Sequence, residues 1–280
     1  MILLDNNQLI IANIFQTMKH GSEINEDLLR HLCLNTYRMY RTKFKSYGDL
    51  VICQDSGNCW RRDIFEHYKK NRKKSQDKSD FDWGAIFNSL SKIRDEIVEN
   101  FPYKSIAVPR TEADDIVAIL CKHYHDKEKI VIVSSDKDFQ QLQRFPNIKQ
   151  YSPTKKKFLV CENPEKFLLE HILKGDTSDG IPNILSDDDV FMVDGKRQKP
   201  CGAKKIETLI NESELRETPN WNRNQMLVDL SLIPEDYENK ILEAFNTAVC
   251  GDRSKLFNYF VKHKLNKLIG SIEEFWNEEQ

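Results

Sequence analysis

Carboxylates recur where short apolar runs end. Leu3-Leu4 leads into Asp5, Ile52-Cys53-Gln54 into Asp55, and Ile132-Val133-Ser134-Ser135 into Asp136, with Asp138 two residues on. Glu112, Asp114 and Asp115 open a helical pattern after another such run. Gly175-Asp176-Thr177-Ser178-Asp179-Gly180 sets two more acids on a tight turn. Each feature alone has a plain structural use. An Asp after a strand can N-cap the next helix, Thr111-x-x-Asp114 reads as a capping box, and Gly-Asp-x-Ser-Asp-Gly as an Asx-type turn. Together they make up to nine carboxylates near one edge, which repel strongly unless protonated or neutralised by cations. No His or Cys ligand accompanies these carboxylates, so the expected donors are all oxygen, which favours Mg²⁺ or Mn²⁺ over zinc. Two such ions can activate a water and stabilise the leaving oxygen in phosphodiester cleavage.

A basic stretch follows Asp55 closely. Residues 60–78 hold eight Lys or Arg against three Asp or Glu, among them Arg61, Lys70 and Lys73. Read as one helix, the stretch puts Arg62, Glu66, Lys69 and Lys73 on one charged stripe, with Arg72 on an adjoining face. Trp60 and Tyr68 are aromatics that could stack on bases. Arginine grips phosphate in a fork and lysine as a point charge. A solvated surface helix has the same composition. Its place beside a predicted metal site favours the phosphate-gripping reading.

These groups need a scaffold. The short Ile- and Val-rich runs Ile2–Leu4, Leu50–Cys53, Ser105–Val108 and Lys129–Val133 read as buried strands. Between them, helical patterns cover about 8–19, 26–46, 83–100 and 112–124. The alternation implies an α/β domain over 1–160: a mostly parallel central sheet with helices on both faces. Ligands of such a sheet bind beyond the carboxyl ends of its strands, where the aspartates lie. From about 161 to 280 the pattern is nearly all helical, with segments near 163–173, 203–212, 224–231, 236–248 and 253–263. Residues 186–202 interrupt it as an irregular insertion, acidic and then basic.

Composition excludes several classes. The 280 residues are 39% hydrophobic, enough for a real core. No apolar run approaches the roughly 20 residues of a membrane span, and the N-terminus lacks a signal-peptide pattern. Seven Cys without a C-x-x-C pair argue against disulfides and structural zinc. The expectation is a cytoplasmic protein. With 42 basic and 44 acidic residues, the net charge of −2 argues against a generic basic nucleic-acid binder. Yet setting the nine clustered acids aside leaves 35 against 42 bases, an excess of seven positive charges. The total conceals two sites of opposite sign.

The ordered set Leu4-Asp5, CQDSGNCWRRDIFEHYKKNRK, TEADDIVAIL, IVIVSSDKDFQQL and ILKGDTSDGIP resembles the 5′-nuclease family. That family takes in flap endonucleases, replication-associated 5′→3′ exonucleases and the ribonucleases H of T-even bacteriophages, where the likeness is nearest. These segments run from Asp5 to about Pro182, and LVDLSLIP and KLFNYFVKHKLNKL extend the likeness into the C-terminal region. The resemblance implies a PIN-like 5′-nuclease fold and Mg²⁺-dependent phosphodiester hydrolysis from a 5′ end, with two ions and Mn²⁺ as a substitute. Carried over by position, Asp5, Asp55, Glu112, Asp114, Asp136 and Asp138 match the metal cluster, with Asp136, Asp138, Asp176 and Asp179 at the second ion. Lys69 and Arg72 match the residues of a basic arch, at about 60–82, that contact the scissile phosphate. Tyr68, Arg61 and Arg62 are weaker matches for positioning the strand, and Lys70 and Lys73 extend the basic arch. The implied substrates are RNA–DNA hybrids, nicked or gapped duplexes and 5′ flaps, and the implied role is removal of lagging-strand primers in phage DNA replication. The expected state is a monomer in contact with DNA, with a sliding clamp and a single-stranded-DNA-binding protein as further partners.

Two departures qualify the likeness. The family's helix–hairpin–helix is replaced by residues 186–202 before Gly202-Ala203-Lys204-Lys205 resumes a helix start, which puts a monovalent-ion site in doubt while Lys204 and Lys205 remain candidates for duplex contact. Ile272-x-x-Phe275-Trp276 is similar to a sliding-clamp peptide without its leading Gln, and core packing of the last helix explains it equally. The rival readings are a PIN-like ribonuclease, a phosphoryl-transfer protein with one nucleophilic Asp, and a non-catalytic binder of branched DNA. The arch and the Gly175–Gly180 turn disfavour the first two, and the full set of acids disfavours the third. His123 and His125 form a possible metal pair, but at a helix C-terminus histidine already suits the dipole.

Overall fold

The computed structural model describes residues 1–18, 24–72 and 81–276, except the Ser213 side chain. Its centre is a six-stranded sheet in the order β3-β2-β1-β4-β5-β6. The strands are β1 (Ile2–Asp5), β2 (Leu50–Cys53), β3 (Lys104–Ile106), β4 (Ile130–Val133), β5 (Ile148–Ser152) and β6 (Lys157–Leu159). The first five are parallel and β6 returns antiparallel against β5. The four expected strands are present within two residues of the expected bounds. The β5–β6 hairpin was not foreseen, because Gln150, Ser152 and the lysines at 155–157 break any apolar run there.

Strand side chains alternate between two cores. Ile2, Leu4, Leu50, Ile52, Val131 and Val133 point to one face, covered by α1 (Asn6–Met18), α2 (Glu26–Lys43), α4 (Trp83–Asn100) and α10 (Arg253–Lys262). Leu3, Val51, Cys53, Ile130 and Ile132 point to the other, covered by α5 (Ala113–Tyr124) and α9 (Glu235–Thr247). Burial on both faces explains why these strands read as continuous apolar runs rather than alternating ones. Caps start the helices where the sequence allows. The Asn25 side chain accepts from Leu28 N at 2.9 Å, and Asn163 does the same for α6 (Pro164–Lys174), whose first residue is proline.

The helical region from 161 onward does not stand apart. Residues of α6, α7 (Ala203–Leu209) and α8 (Pro219–Val228) build a third core with Cys59, Phe65 and Tyr68. Helices α9 and α10 instead close the two faces of the sheet. The helix expected near 224–231 begins earlier, at Pro219, because Thr218 caps it by accepting from Trp221 N. Residues 186–202 carry no helix or strand, as expected.

One expectation is corrected, and one pair of alternatives is decided. The basic stretch is not one helix. A four-residue α3 (Arg61–Ile64) ends at Phe65, and Lys69 takes a left-handed φ of 57° before a helical turn at 70–72. The stripe Arg62-Glu66-Lys69-Lys73 therefore does not form, and Lys73 lies outside the described residues. The clamp-like segment is part of the core: Phe275 is fully buried, its ring 5.2 Å from that of Phe260 and 5.7 Å from that of Phe101. Replacing Phe275 by Ala should cost about 3–5 kcal/mol of stability, seen as a lower denaturation midpoint in urea. An unchanged midpoint would mean that this ring is free for a partner.

Candidate metal centre

Strand order reverses direction between β1 and β4, since the chain runs outward from β1 through β2 to β3 and then returns to β4. A crevice opens at such a switch point. Asp5 ends β1, Asp55 lies just past β2, Asp136 and Asp138 follow β4, and Glu112 and Asp114 begin α5 from the same rim. The loop after β4 is held by Gln150 of β5, whose amide nitrogen donates to the carbonyls of Ser134 and Asp136 at 3.1 and 2.5 Å.

The start of α5 sorts the acids. Glu112 is the N-cap and Asp115 the reciprocating residue, so the capping box is Glu112–Asp115 rather than Thr111–Asp114. Asp115 is fully buried, 2.7 Å from Arg61 Nη2 and accepting from Trp60 Nε1 at 3.2 Å. It turns away from the rim, and the expected ninth member of the cluster is a structural group. Asp55 accepts from the Ala113 backbone at 2.8 Å and from Asn7 at 2.8 Å. Asp114, freed from capping, is electrostatically coupled to Asp136 and Asp5.

Protein cations neutralise one side of the cluster. Glu112 accepts from Lys69 Nζ at 2.6 Å, Tyr68 Oη at 2.9 Å and Arg61 Nη1 at 3.3 Å. Burial would raise its pKa, but Lys69 and Arg61 overcome that and hold it down to about 2. Asp179 lies 3.4 Å from Lys69 Nζ and pairs with Arg72 Nη2. Backbone contacts fasten this half of the arch to the Gly175–Gly180 turn: Lys69 N donates to Asp179 O at 2.7 Å and Asn71 to Thr177 O at 2.8 Å. A Cβ at Gly175 would come within 2.4 Å of the Ile181 and Pro182 carbonyl oxygens, so only glycine fits there.

Among the described residues, the other side has no such ion pairs, though the charge of Lys69 acts on Asp114 and Asp136 from a distance. Burial, Asp55 and Asp136 push Asp5 up to about 7, against the lowering hydrogen bond from Ser134 Oγ at 2.8 Å. Burial and Asp138 push Asp136 up to about 6, and burial, Asp136 and Asp5 hold Asp114 well above the carboxylate range. Among the described residues, no side-chain cation hydrogen-bonds to Asp5, Asp114 or Asp136. Three hard donors raised by burial and by neighbouring carboxylates fit a divalent cation, whose charge would remove that penalty.

Asp138 and Asp176 form a further group with His171, a residue that the reading of the motifs passed over. His171 sits in the last turn of α6, five positions before Asp176, and brings a ring nitrogen beside these two acids. Burial would raise Asp176, but hydrogen bonds from Ser178 and Lys137 outweigh it and keep the group below its usual value. Asp179, expected beside Asp138 and Asp176, lies instead with Lys69 and Arg72.

The residues expected to touch nucleic acid divide similarly. Arg62, Lys70, Arg72, Lys204 and Lys205 are exposed. Arg61 and Tyr68 are 2% and 3% exposed and spend their polar atoms on Glu112, Asp115, Asp179 and the Leu227 carbonyl. Both position acids rather than line a surface, and Trp60, at 4%, is equally unavailable for stacking. His123 pairs with Glu238 at 2.6 Å while His125 stacks on Phe145, so they are no metal pair.

A doubly wound sheet whose switch point gathers carboxylates beside an arginine- and lysine-bearing segment is the arrangement of a resolvase-like nuclease. Residues 1–168 match the model of the 5′-3′ exonuclease N-terminal resolvase-like domain, and residues 162–275 that of the C-terminal region of T4 RNase H. The chain belongs to this 5′-nuclease family. It is 34% identical to Ribonuclease H of Enterobacteria phage T4 over 98% of this chain and 95% of that protein. It is 32% identical to the flap endonuclease Xni of Shewanella piezotolerans over 51% of this chain and 56% of that one. The fold is that of the bacteriophage T5 flap endonuclease, solved with DNA and metal ions. The TM-score is 0.63 at 18% identity, over 88% of this chain and 99% of that one.

The raised carboxyl groups have a pH signature. Asp5 holds its proton more tightly folded than unfolded. The stability it contributes is complete below the unfolded value of about 3.9 and is lost as pH rises through about 7. In EDTA, Asp5→Asn should therefore melt higher than the parent protein, by a margin that widens from pH 5 to pH 7.5. Saturating divalent cation should narrow that margin. A constant margin in thermal melts would mean that Asp5 is not strained by its neighbours.

Proposed function

We propose that this nuclease hydrolyses phosphodiesters from 5′ ends, acting on RNA in RNA–DNA hybrids and on 5′-ended or flapped duplex DNA, with Mg²⁺ as cofactor and Mn²⁺ as a substitute. The observation that carries the reading is the trio Asp5, Asp114 and Asp136, each raised by burial and by neighbouring carboxylates. Destabilisation of this kind is kept where a ligand relieves it. Asp5, Asp114 and Asp136, flanked by Asp55, would hold one ion, and Asp138 with Asp176 the second. When bound, two such ions supply an activated water and neutralise charge on the leaving oxygen.

The chain's own groups do the rest. Lys69 Nζ is fixed by Glu112 and retains donor capacity for a non-bridging phosphate oxygen. Arg72, half exposed and anchored by Asp179, offers a second grip on the same phosphate. Arg62, Lys70, Lys204 and Lys205, all exposed, would contact the backbone on either side. Likeness to Ribonuclease H of phage T4 along nearly the whole chain supports a role in removing lagging-strand primers during phage DNA replication.

With Mg²⁺, the purified protein should shorten a 5′-labelled RNA–DNA hybrid from its 5′ end, and Asp114→Asn should abolish this with an unchanged circular dichroism spectrum. Cleavage in EDTA would overturn the metal reading. Lys69→Ala and Arg72→Ala should each lower turnover about 10²–10³-fold, the loss typical of one charge-stabilising donor. Normal cleavage by both would overturn the arch assignment. Matched hybrid, nick and flap substrates rank the preferences.

A further inference from the structure

Asp138, His171 and Asp176 each offer one ligand atom, all within 4.8 Å of one another. His171 is 4% exposed, its ring stacked on Phe167 at 5.9 Å. Its Nε2 lies 3.0 Å from Asp138 Oδ1 and 3.9 Å from Asp176 Oδ2. The distance to Asp138 is short, yet the alignment is not that of a hydrogen bond. Both atoms are buried and without a hydrogen-bond partner among the described residues. Two such atoms side by side would each forgo the solvation of water without return, unless a third body lies between them.

The surroundings fit a cation in that role. Asp176 commits Oδ1 to the Ser178 backbone and hydroxyl at 2.8 and 2.6 Å, which leaves Oδ2 for the group. The Lys137 ammonium stands 3.0 Å from Oδ2 on a half-exposed side chain that can swing into solvent. An ammonium there marks where positive charge is favoured.

We propose that His171 Nε2 is a nitrogen ligand of the second ion, together with Asp138 and Asp176, so that this half of the centre binds Mn²⁺ more tightly than Mg²⁺. The inference rests on the two-ion reading above. Its chemical basis is the donor set. Imidazole favours first-row transition ions, whereas Mg²⁺ prefers oxygen and keeps its water. The position at Asp5, Asp114 and Asp136 presents carboxylates alone, and the two ions would thus be held with unlike selectivity.

Metal-free protein titrated with Mn²⁺ by calorimetry, and examined by electron spin echo envelope modulation, tests this. Two Mn²⁺ should bind, one carrying ¹⁴N modulation from imidazole. His171→Gln should abolish the modulation and weaken one Mn²⁺ at least about tenfold, with Mg²⁺ affinity moving under about threefold. His171→Asp should restore Mn²⁺ affinity without the nitrogen signal, which separates ligation from a folding defect. Asp114→Asn should remove the other Mn²⁺ and leave the modulation intact. Two bound Mn²⁺ without nitrogen coupling, or unchanged affinity in His171→Gln, would overturn the ligand assignment and leave the two-ion reading standing. Failure of Mn²⁺ to bind at either position would overturn both.

Discussion

Carboxylates sharing a low-dielectric rim repel, and the layout of this molecule follows from how that repulsion is relieved. Arg61, Lys69, Arg72 and Lys137 answer Glu112, Asp115, Asp176 and Asp179. Among the described residues, Asp5, Asp114 and Asp136 receive no ion pair of this kind, and the more distant Lys69 charge only partly offsets the raising of Asp114 and Asp136. The division is visible in acidity: Glu112 is held down to about 2 while Asp5 is pushed up to about 7. Buried ion pairs contribute little net stability, so the paired half is better understood as a frame. It fixes the arch and the Gly175–Gly180 turn against α5 so that the unpaired half keeps its geometry.

The same division shows what was legible in the sequence. Strands β1, β2 and β4 could be read because each is buried on both faces and is made mostly of Ile, Val and Leu. Strand β5 escaped because its buried Gln150 serves the carbonyls of the loop bearing Asp136, a use that looks polar in a linear reading. The acids were found by type and position, but sequence could not tell which of them would meet a cation from the protein. Arg61 and Tyr68 looked like surface residues because charge and hydroxyl usually lie outside. Only the fold shows Glu112 and Asp115 buried beside them. His171 lay on a helix with no neighbour in sequence to mark it, and becomes noticeable once α6 brings it to Asp138.

Charge on the whole chain proved a poor guide for a related reason. A net −2 sums an acidic pocket and a basic approach that occupy different places. Burial keeps the first from cancelling the second at the surface, where Arg62, Lys70, Lys204 and Lys205 remain exposed. A polyanion is attracted to exposed basic groups of this kind, and that attraction weakens as salt rises.

The N-terminus of α5 bears on the protein before any ion arrives. Its capping is done by Glu112, Asp115 and Asp55, and the positive end of its macrodipole is directed among the acids. That partial charge is permanent and built of backbone. It works as a resident counter-ion of fixed address, present from the moment the helix forms and immune to chelation. That backbone charge lets the acids gather beside α5 with part of their repulsion already offset.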